Sequence, residues 1–293
     1  MFRKITSTAS AARLLAAGIA IGSLVSAAPA QAAEAPRVEL TEQIVAVGDY
    51  DSDGITDLFV LVPADPDSWL PSENLAVMKG RKDGTFGSPV SLGLQRDLHV
   101  EAGADFNGDG LADLLVGDAK GGLTLLAGGK GGAFGPGRQI ISDWKHIQTT
   151  AGDFNGDGKA DFVAVDPDSR AVLLWKGNGD GTFAQPEKVA DGWRFTHATA
   201  ADVNGDGVAD LLGQDHHAED KLYIATGNKT GAFSAPKALL SNWNFEGAVA
   251  GDFNGDGKAD IIAKPYMSVQ PKQIWLGNGD GTFGQPTVVT YHS

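Results

Sequence analysis

The chain has 293 residues, 42% of them hydrophobic, with 40 glycines, no cysteine and a formal net charge of −14. That much apolar material supports a buried core and excludes disorder of the whole chain, while the lack of cysteine removes disulfides, thiolate metal sites and thiol nucleophiles. The negative charge repels phosphate backbones and anionic membrane surfaces, which argues against nucleic acid and lipid as partners.

Residues 1–32 carry Arg3, Lys4 and Arg13 without any acidic residue, then an apolar run from Leu14 to Val25 and the small-residue stretch Ala28-Pro29-Ala30-Gln31-Ala32. This is the pattern of a cleavable secretory signal peptide, and the apolar run is short for a membrane span. The expectation is a secreted protein with no membrane insertion. Its mature part, 33–293, holds 20 basic and 37 acidic residues, a net charge of −17.

Much of the acid lies in five copies of a nine-residue pattern at 49–57, 105–113, 153–161, 202–210 and 252–260, which start 56, 48, 49 and 50 residues apart. A second pattern, Gly-x-x-x-Gly-(Thr/Ala)-Phe, follows each copy, with its Phe at 86, 134, 183, 233 and 283. A period near 50 residues predicts a repeat architecture in which each unit is one supersecondary module.

The third copy shows what the module is. Ile147 to Gly152 precedes the acidic loop, Phe162 to Val165 follows it, Asp166-Pro167-Asp168 marks a turn, and Val172 to Trp175 is another apolar run. Gly177 to Gly181 is a further turn, and Gln185 to Ala190 is more polar. These are four short strands joined by tight turns, with no sustained helical period. Four-stranded units of this length are propeller blades, so the predicted fold is all-β, a five-bladed β-propeller with one blade per repeat. The runner-up is a six- or seven-bladed ring completed by a second chain, although a monomer is expected. Each repeat ends on its outer strand, so any strand that locks the ring must come from Val38 to Val45 or Thr287 to Tyr291.

The acidic loops place oxygens at positions 1, 3, 5 and 9, with a backbone oxygen at 7 and a Gly at 6, which suits a hard cation that takes 6 to 8 oxygens. The candidate ligands are Asp49, Asp51, Asp53, Ile55 and Asp57 in the first loop and Asp105, Asn107, Asp109, Leu111 and Asp113 in the second. The third has Asp153, Asn155, Asp157, Lys159 and Asp161, the fourth Asp202, Asn204, Asp206, Val208 and Asp210, and the fifth Asp252, Asn254, Asp256, Lys258 and Asp260. An EF-hand is excluded because position 12 is Val60, Val116, Ala164, Gly213 or Ala263 instead of Glu. An ordinary Asx-turn uses the same residues, but five copies with the closing Asp retained point to about five structural Ca²⁺. The loops hold 16 carboxylates, and five Ca²⁺ would bring the mature charge from −17 to −7.

The pairing of Asp-x-Asn-x-Asp-Gly-x-x-Asp with Gly-Asn-Gly-Asp-Gly-Thr-Phe, at 153–161 with 177–183 and at 252–260 with 277–283, resembles the FG-GAP or VCBS repeat of integrin α-subunit propellers and of secreted bacterial proteins and lectins. The resemblance implies a calcium-loaded propeller and an adhesion, lectin-like or enzyme-attached role. It leaves the ligand open. Integrins have seven such repeats, and this chain has five.

No Gly-x-Ser-x-Gly, His-Glu-x-x-His or phosphate-loop motif occurs in the chain. His216-His217 beside Asp215 and Glu219, and Asp166 with Asp168, are the acid-base candidates for a rival reading as a polysaccharide hydrolase or lyase. In a four-stranded blade the acidic loops share one face with the turns between third and fourth strands. The opposite face then receives Trp69, Arg96, Trp144, Trp193, Trp243, His216 and Tyr266. Such aromatics either stack on sugar rings and anchor a protein partner or seal the seams between blades, as the nine-residue offset of Trp144, Trp193 and Trp243 before each loop suggests. The expected function is a non-catalytic module that binds an extracellular glycan or protein, with a protein-interaction scaffold as a further alternative.

Overall fold

Glycine, asparagine and aspartate at short intervals cut the chain into strands of two to seven residues, and the computed structural model describes these in residues 37–39, 42–63, 73–94, 99–117, 121–130, 133–215 and 221–292. The expected signal peptide lies outside the described residues. Strand β1 (Arg37–Glu39) precedes the first blade, β2 (Gln43–Gly48), β3 (Asp57–Pro63), β4 (Glu73–Met78) and β5 (Val90–Ser91). The second blade is β6 (His99–Ala104), β7 (Asp113–Gly117), β8 (Leu123–Leu126) and β9 (Arg138–Ile141), and the third is β10 (Ile147–Gly152), β11 (Asp161–Val165), β12 (Val172–Trp175) and β13 (Glu187–Ala190). The fourth is β14 (Thr196–Ala201), β15 (Asp210–Asp215), β16 (Lys221–Ala225) and β17 (Lys237–Leu240). The fifth is β18 (Phe245–Gly251), β19 (Asp260–Pro265), β20 (Gln273–Trp275) and β21 (Thr287–Val288), and β22 (Thr290–His292) ends the described chain.

Each blade is an antiparallel meander in chain order. The first strands of successive blades touch in sequence, and β18 touches β2, so the five sheets close into a ring. The five-bladed propeller read from the repeats is the observed fold. The ring is locked by both termini: β1 pairs with β22, Val38 opposite Tyr291, while the Phe86 N–H donates to the Thr290 carbonyl at 3.1 Å. Both segments named from the sequence therefore take part.

Burial follows position within the blade. The second strand β11 is buried along its whole length, and the second strands of the other blades over their first four residues, because both faces meet neighbouring blades, whereas the outer strand β13 begins with exposed Glu187 and Lys188. This is why the former read as unbroken apolar runs and the latter as polar ones. The first strands converge on the axis around a channel of about 70 Å³, lined by small residues such as Ala102, Gly103, Thr150, Ala151 and Ala200. Gly152 ends such a strand because a Cβ there would stand 2.8 Å from the Cβ of Ala209 in the next blade's loop. A bulge interrupts each first strand, with left-handed backbone at Gln148, His197 and Gly247 in the last three blades.

The apolar core divides into five clusters, one at each seam. One draws Phe154, Val163 and Leu174 from the third blade and Leu211 and Ala225 from the fourth. The cluster at the closing seam joins Leu58, Met78 and Phe86 to Phe253, Ile262 and Ile274, with Val289 from the C-terminal segment. Stability in this architecture resides at the seams, because each sheet covers its faces only by leaning on its neighbours. Among the described residues, no helix is long and apolar enough to cross a membrane.

Candidate functional site: acidic loops and inter-blade clefts

The two repeated motifs meet across the seams. Position 2 of each loop is an aromatic residue or, in the fourth loop, Val203, and its side chain packs on the Gly-x-x-x-Gly-x-Phe aromatic of the following blade. Phe106 lies 5.4 Å from Phe183 and Phe154 5.6 Å from Phe233, and Phe253 lies 6.1 Å from Phe86 across the closing seam. Backbone bonds reinforce these contacts. The Gly181 N–H donates to the Phe106 carbonyl and that of Gly281 to the Val203 carbonyl. Position 8 of one loop also donates to the position 1 carbonyl of the loop before it. Ala112 thus bonds Asp49, Ala209 bonds Asp153, and Thr56 bonds Asp252 across the closing seam, each at 2.8 Å. The acidic loops and the turns between third and fourth strands therefore share one face, as expected from blade connectivity.

Within each loop the first Asp folds the backbone around its carboxylate. Asp153 Oδ1 accepts from the N–H groups of Gly156 and Asp157, and Oδ2 accepts from Gly158. The Asn at position 3 and the Asp at position 5 each accept from the N–H two residues on, as in Asn155 with Asp157 and Asp157 with Lys159. The closing Asp is fully buried in all five loops. Asp161 accepts from Phe154 N at 3.1 Å and Gly177 N at 2.7 Å, tying the loop to the end of the third strand. Burial pushes the closing carboxyls up from 3.8, to about 7 at Asp57 and about 6 at Asp113, Asp161, Asp210 and Asp260, against the lowering effect of those two N–H donors.

The donor set fits a hard divalent cation. One carboxylate oxygen from each of Asp49, Asp51 and Asp57 lies within 4.8 Å of the others, and every side-chain ligand candidate is an oxygen donor suited to Ca²⁺. In the other four loops Asn replaces Asp51. At position 7 the backbone carbonyls of Ile55, Leu111, Lys159, Val208 and Lys258 would supply the remaining oxygen that such a loop needs for Ca²⁺.

The opposite face differs from the simplest picture of exposed aromatics. Trp144, Trp193 and Trp243 are 9%, 3% and 5% exposed, each inside a seam cluster. The backbones of the first two turn under the neighbouring hairpins, with Trp144 N–H bonded to the Gly121 carbonyl and Trp193 N–H to that of Arg170. Burial places these three indoles in the packing alternative. Tyr266 is 43% exposed beside Met267 and Val269. Trp69, Arg96, His216, His217 and Glu219 lie outside the described residues, and Asp215 ends β15. Asp166 accepts from the backbone and hydroxyl of Ser169, which hold its carboxyl below the usual range, contrary to what a general acid needs.

Two clefts open at successive seams. One, of about 420 Å³, lies between the third and fourth blades, with Trp193, Phe195, Leu211 and Phe233 along its walls and Asp191, Arg194, Tyr223 and Ser234 as polar groups. The other, of about 560 Å³, lies between the second and third and combines Phe162, Trp175 and Phe183 with Arg138, Gln139, His146, Thr182 and Gln185. His146 packs 4.9 Å from Trp144 and 5.2 Å from Trp175, and burial lowers its pKa. Trp193 on the wall of the first cleft is one of the ligand-face candidates named from the sequence, while the polar groups of both clefts escaped sequence reasoning. The available signal was a break in period: His146 stands where the next two repeats have Phe195 and Phe245, and Ala225 where the flanking repeats have Trp175 and Trp275.

Several solved structures are similar to this chain in fold. The BP39L lectin of Burkholderia pseudomallei is 18% identical, with a TM-score of 0.50 over 84% of this chain and 70% of its own. The Bacteroides ovatus protein described as xyloglucan PUL GH43B is 14% identical with a TM-score of 0.52, and fructan 1-exohydrolase IIa of Cichorium intybus is 11% identical with 0.53. They align with 88% and 87% of this chain, which spans 58% of each of theirs. At these identities the likeness is one of fold. No curated protein matches the chain by sequence. The model of the FG-GAP-like repeat matches residues 105–164, 153–213 and 209–263, three consecutive stretches that together cover more than half of the chain. With that match, and with the two motifs meeting at its seams, the chain belongs to the FG-GAP-like repeat family.

Proposed function

We propose that the protein is a secreted, calcium-stabilised propeller that binds an extracellular glycan in its inter-blade clefts without turning it over. The observation that carries this reading is the recurrence of one cleft construction at two successive seams: an aromatic wall beside charged and hydroxyl groups. Their volumes fall in the range of ligand pockets, and the chemistry suits a sugar, whose C–H face packs on aromatic carbon while its hydroxyls exchange hydrogen bonds with groups such as Arg194 and Gln185. The BP39L lectin and the two proteins titled as a GH43B and a fructan exohydrolase lend the reading support only through a shared fold. Calcium has a structural duty here. It neutralises the acidic loops that join neighbouring blades and so holds the walls of each cleft at a fixed spacing.

The test is a glycan array with and without calcium, followed by a turnover assay on any hit. Saturable binding without product, weakened by Arg194→Ala or Gln185→Ala at unchanged melting temperature, is the expected result. Product formation abolished by His216→Ala would replace this reading with the hydrolase or lyase, and binding to proteins alone would replace it with the scaffold.

A further inference from the structure

The five loops act as internal controls for one another, and the first differs from its sisters in three coupled ways. Its position 3 is Asp51 where the others have Asn, so it holds four carboxylates against three in each of the rest. Asp51 is turned out of the Asx-turn: the Asp53 N–H goes to Asp49 Oδ1 at 3.2 Å and not to Asp51, whereas in the sister loops the corresponding N–H is shared between the first Asp at 3.1 Å and the Asn at position 3 at 2.8 to 2.9 Å. Asp51 Oδ2 instead meets Lys79 Nζ at 2.9 Å, and that ammonium also stands 5.9 Å from the ring of Tyr50. Lys79 precedes the glycine bonded to the closing Asp. At the same place the sister repeats have Ala127, Lys176, Thr226 and Leu276, and Lys176 is paired with Glu187 on its own blade. The additional carboxylate and the loop-directed ammonium thus occur together in one repeat, and Lys79 brings the first loop from −4 to −3, the charge of the second and fourth loops, while the third and fifth carry Lys159 and Lys258 and stand at −2.

Resting on the calcium reading above, we propose that Lys79 is a built-in counter-ion of the first loop, holding it formed when no divalent ion is bound and competing with the ion for Asp51. The place of this loop in the ring explains why such a device belongs here. Its Thr56 N–H bonds Asp252 of the last blade, its Asp49 carbonyl accepts from Ala112 of the second, and Ser52 Oγ donates to the Gly110 carbonyl. The first loop therefore bridges the junction where the two ends of the chain meet. An internal cation keeps that junction from opening by carboxylate repulsion as calcium falls.

Tyr50 makes the site separately observable, because it is the one tyrosine at position 2 of a loop. In a Tb³⁺ titration of the intact protein, the sensitised-emission component lost in Tyr50→Phe reports the first loop, while calorimetry with Ca²⁺ counts all sites. Lys79→Met, which keeps the aliphatic stem, is expected to shift the midpoint of that component to roughly ten-fold lower Tb³⁺, the effect of removing one positive charge within a few ångströms of the ion at low salt. Lys79→Arg should leave it near the wild-type value. In chelator the sign reverses, and Lys79→Met melts below wild type. A merely structural ion pair would lower the melting temperature in chelator and calcium alike and leave the midpoint in place, overturning the proposal. Uptake by the other loops with an unchanged first-loop midpoint would refute it alone. No ion uptake by any loop would refute it together with the calcium reading.

Discussion

The seam contact between Phe154 and Phe233 is the sharpest place to perturb this fold, because it joins the acidic loop of one repeat to the glycine-aromatic motif of the next. Phe154 is fully buried and its ring meets that of Phe233 at 5.6 Å and 72°. Truncation to alanine removes a buried aromatic from a packed cluster, a loss of about 3–5 kcal/mol. For a domain of this size that corresponds to a fall of roughly 6–20 °C in melting temperature. Phe233 is only partly buried, and Phe233→Ala should cost less, about 1.5–3 kcal/mol. The informative quantity is the coupling. An edge-to-face pair contributes about 0.5–1.5 kcal/mol beyond burial, so the double variant should be less destabilised than the sum of the singles by that amount. The control is Phe154 with Phe183 of its own repeat, which belongs to the neighbouring seam and packs on Phe106 and Phe162. That pair should be additive to within about 0.5 kcal/mol. Denaturant melts of the six proteins, run in fixed calcium, give all the terms. Additivity at Phe154–Phe233 together with coupling at Phe154–Phe183 would show that each repeat packs on itself and would refute the seam account.

Three further outcomes follow from particular side chains. Gly177→Ala would put a Cβ 2.1 Å from the Ala160 carbonyl oxygen and should cost roughly 2–4 kcal/mol in a chemical melt, whereas Gly158→Ala, with open space but φ of +81°, should cost about 1 kcal/mol. Trp193→Ala should lower stability by about 3–5 kcal/mol because its indole is 3% exposed, and an unchanged melting temperature would return it to the ligand face. Lys272 is buried with its Nζ donating to the Glu42 carbonyl, and burial lowers its pKa from 10.5 to about 8. The unfolded chain then holds more protons than the native one between about pH 8 and 10.5, so stability relative to Lys272→Met should rise with pH in that window; a flat difference would contradict this.

Much of the fold could be read before any coordinates because each signal was local and repeated five times. The third blade runs from Ile147 to Ala190 with strand limits within one or two residues of those drawn from apolar runs and turns. The acidic loops carried their own spacing, and the outer strands declared themselves by polarity. What escaped was non-local. That Phe183 belongs with Phe106 rather than with its own loop follows from how blades lean together, which no single repeat encodes. Trp144, Trp193 and Trp243 stand among polar neighbours and look available, yet they pack into the seams, the first two with the backbone turning under the adjacent hairpin. The clefts were hidden for the same reason, since their two walls come from different repeats. Only the departures from period, His146 for Phe and Ala225 for Trp, marked them in the sequence.

In the proposed reading, divalent ions in the acidic loops hold the seams together. If the sites bind in the 10⁻⁴ to 10⁻³ M range of extracellular modules, roughly 1 mM Ca²⁺ contributes about 0.4–1.4 kcal/mol per site, or about 2–7 kcal/mol over five independent sites. The direct measurement is thermal unfolding of the chelated protein across a calcium titration, beside Asp153→Ala and Asp252→Ala. The predicted result is a melting temperature that climbs steadily with calcium in the wild type and climbs less in each variant. A melting curve that is the same in chelator and in millimolar calcium would contradict the account.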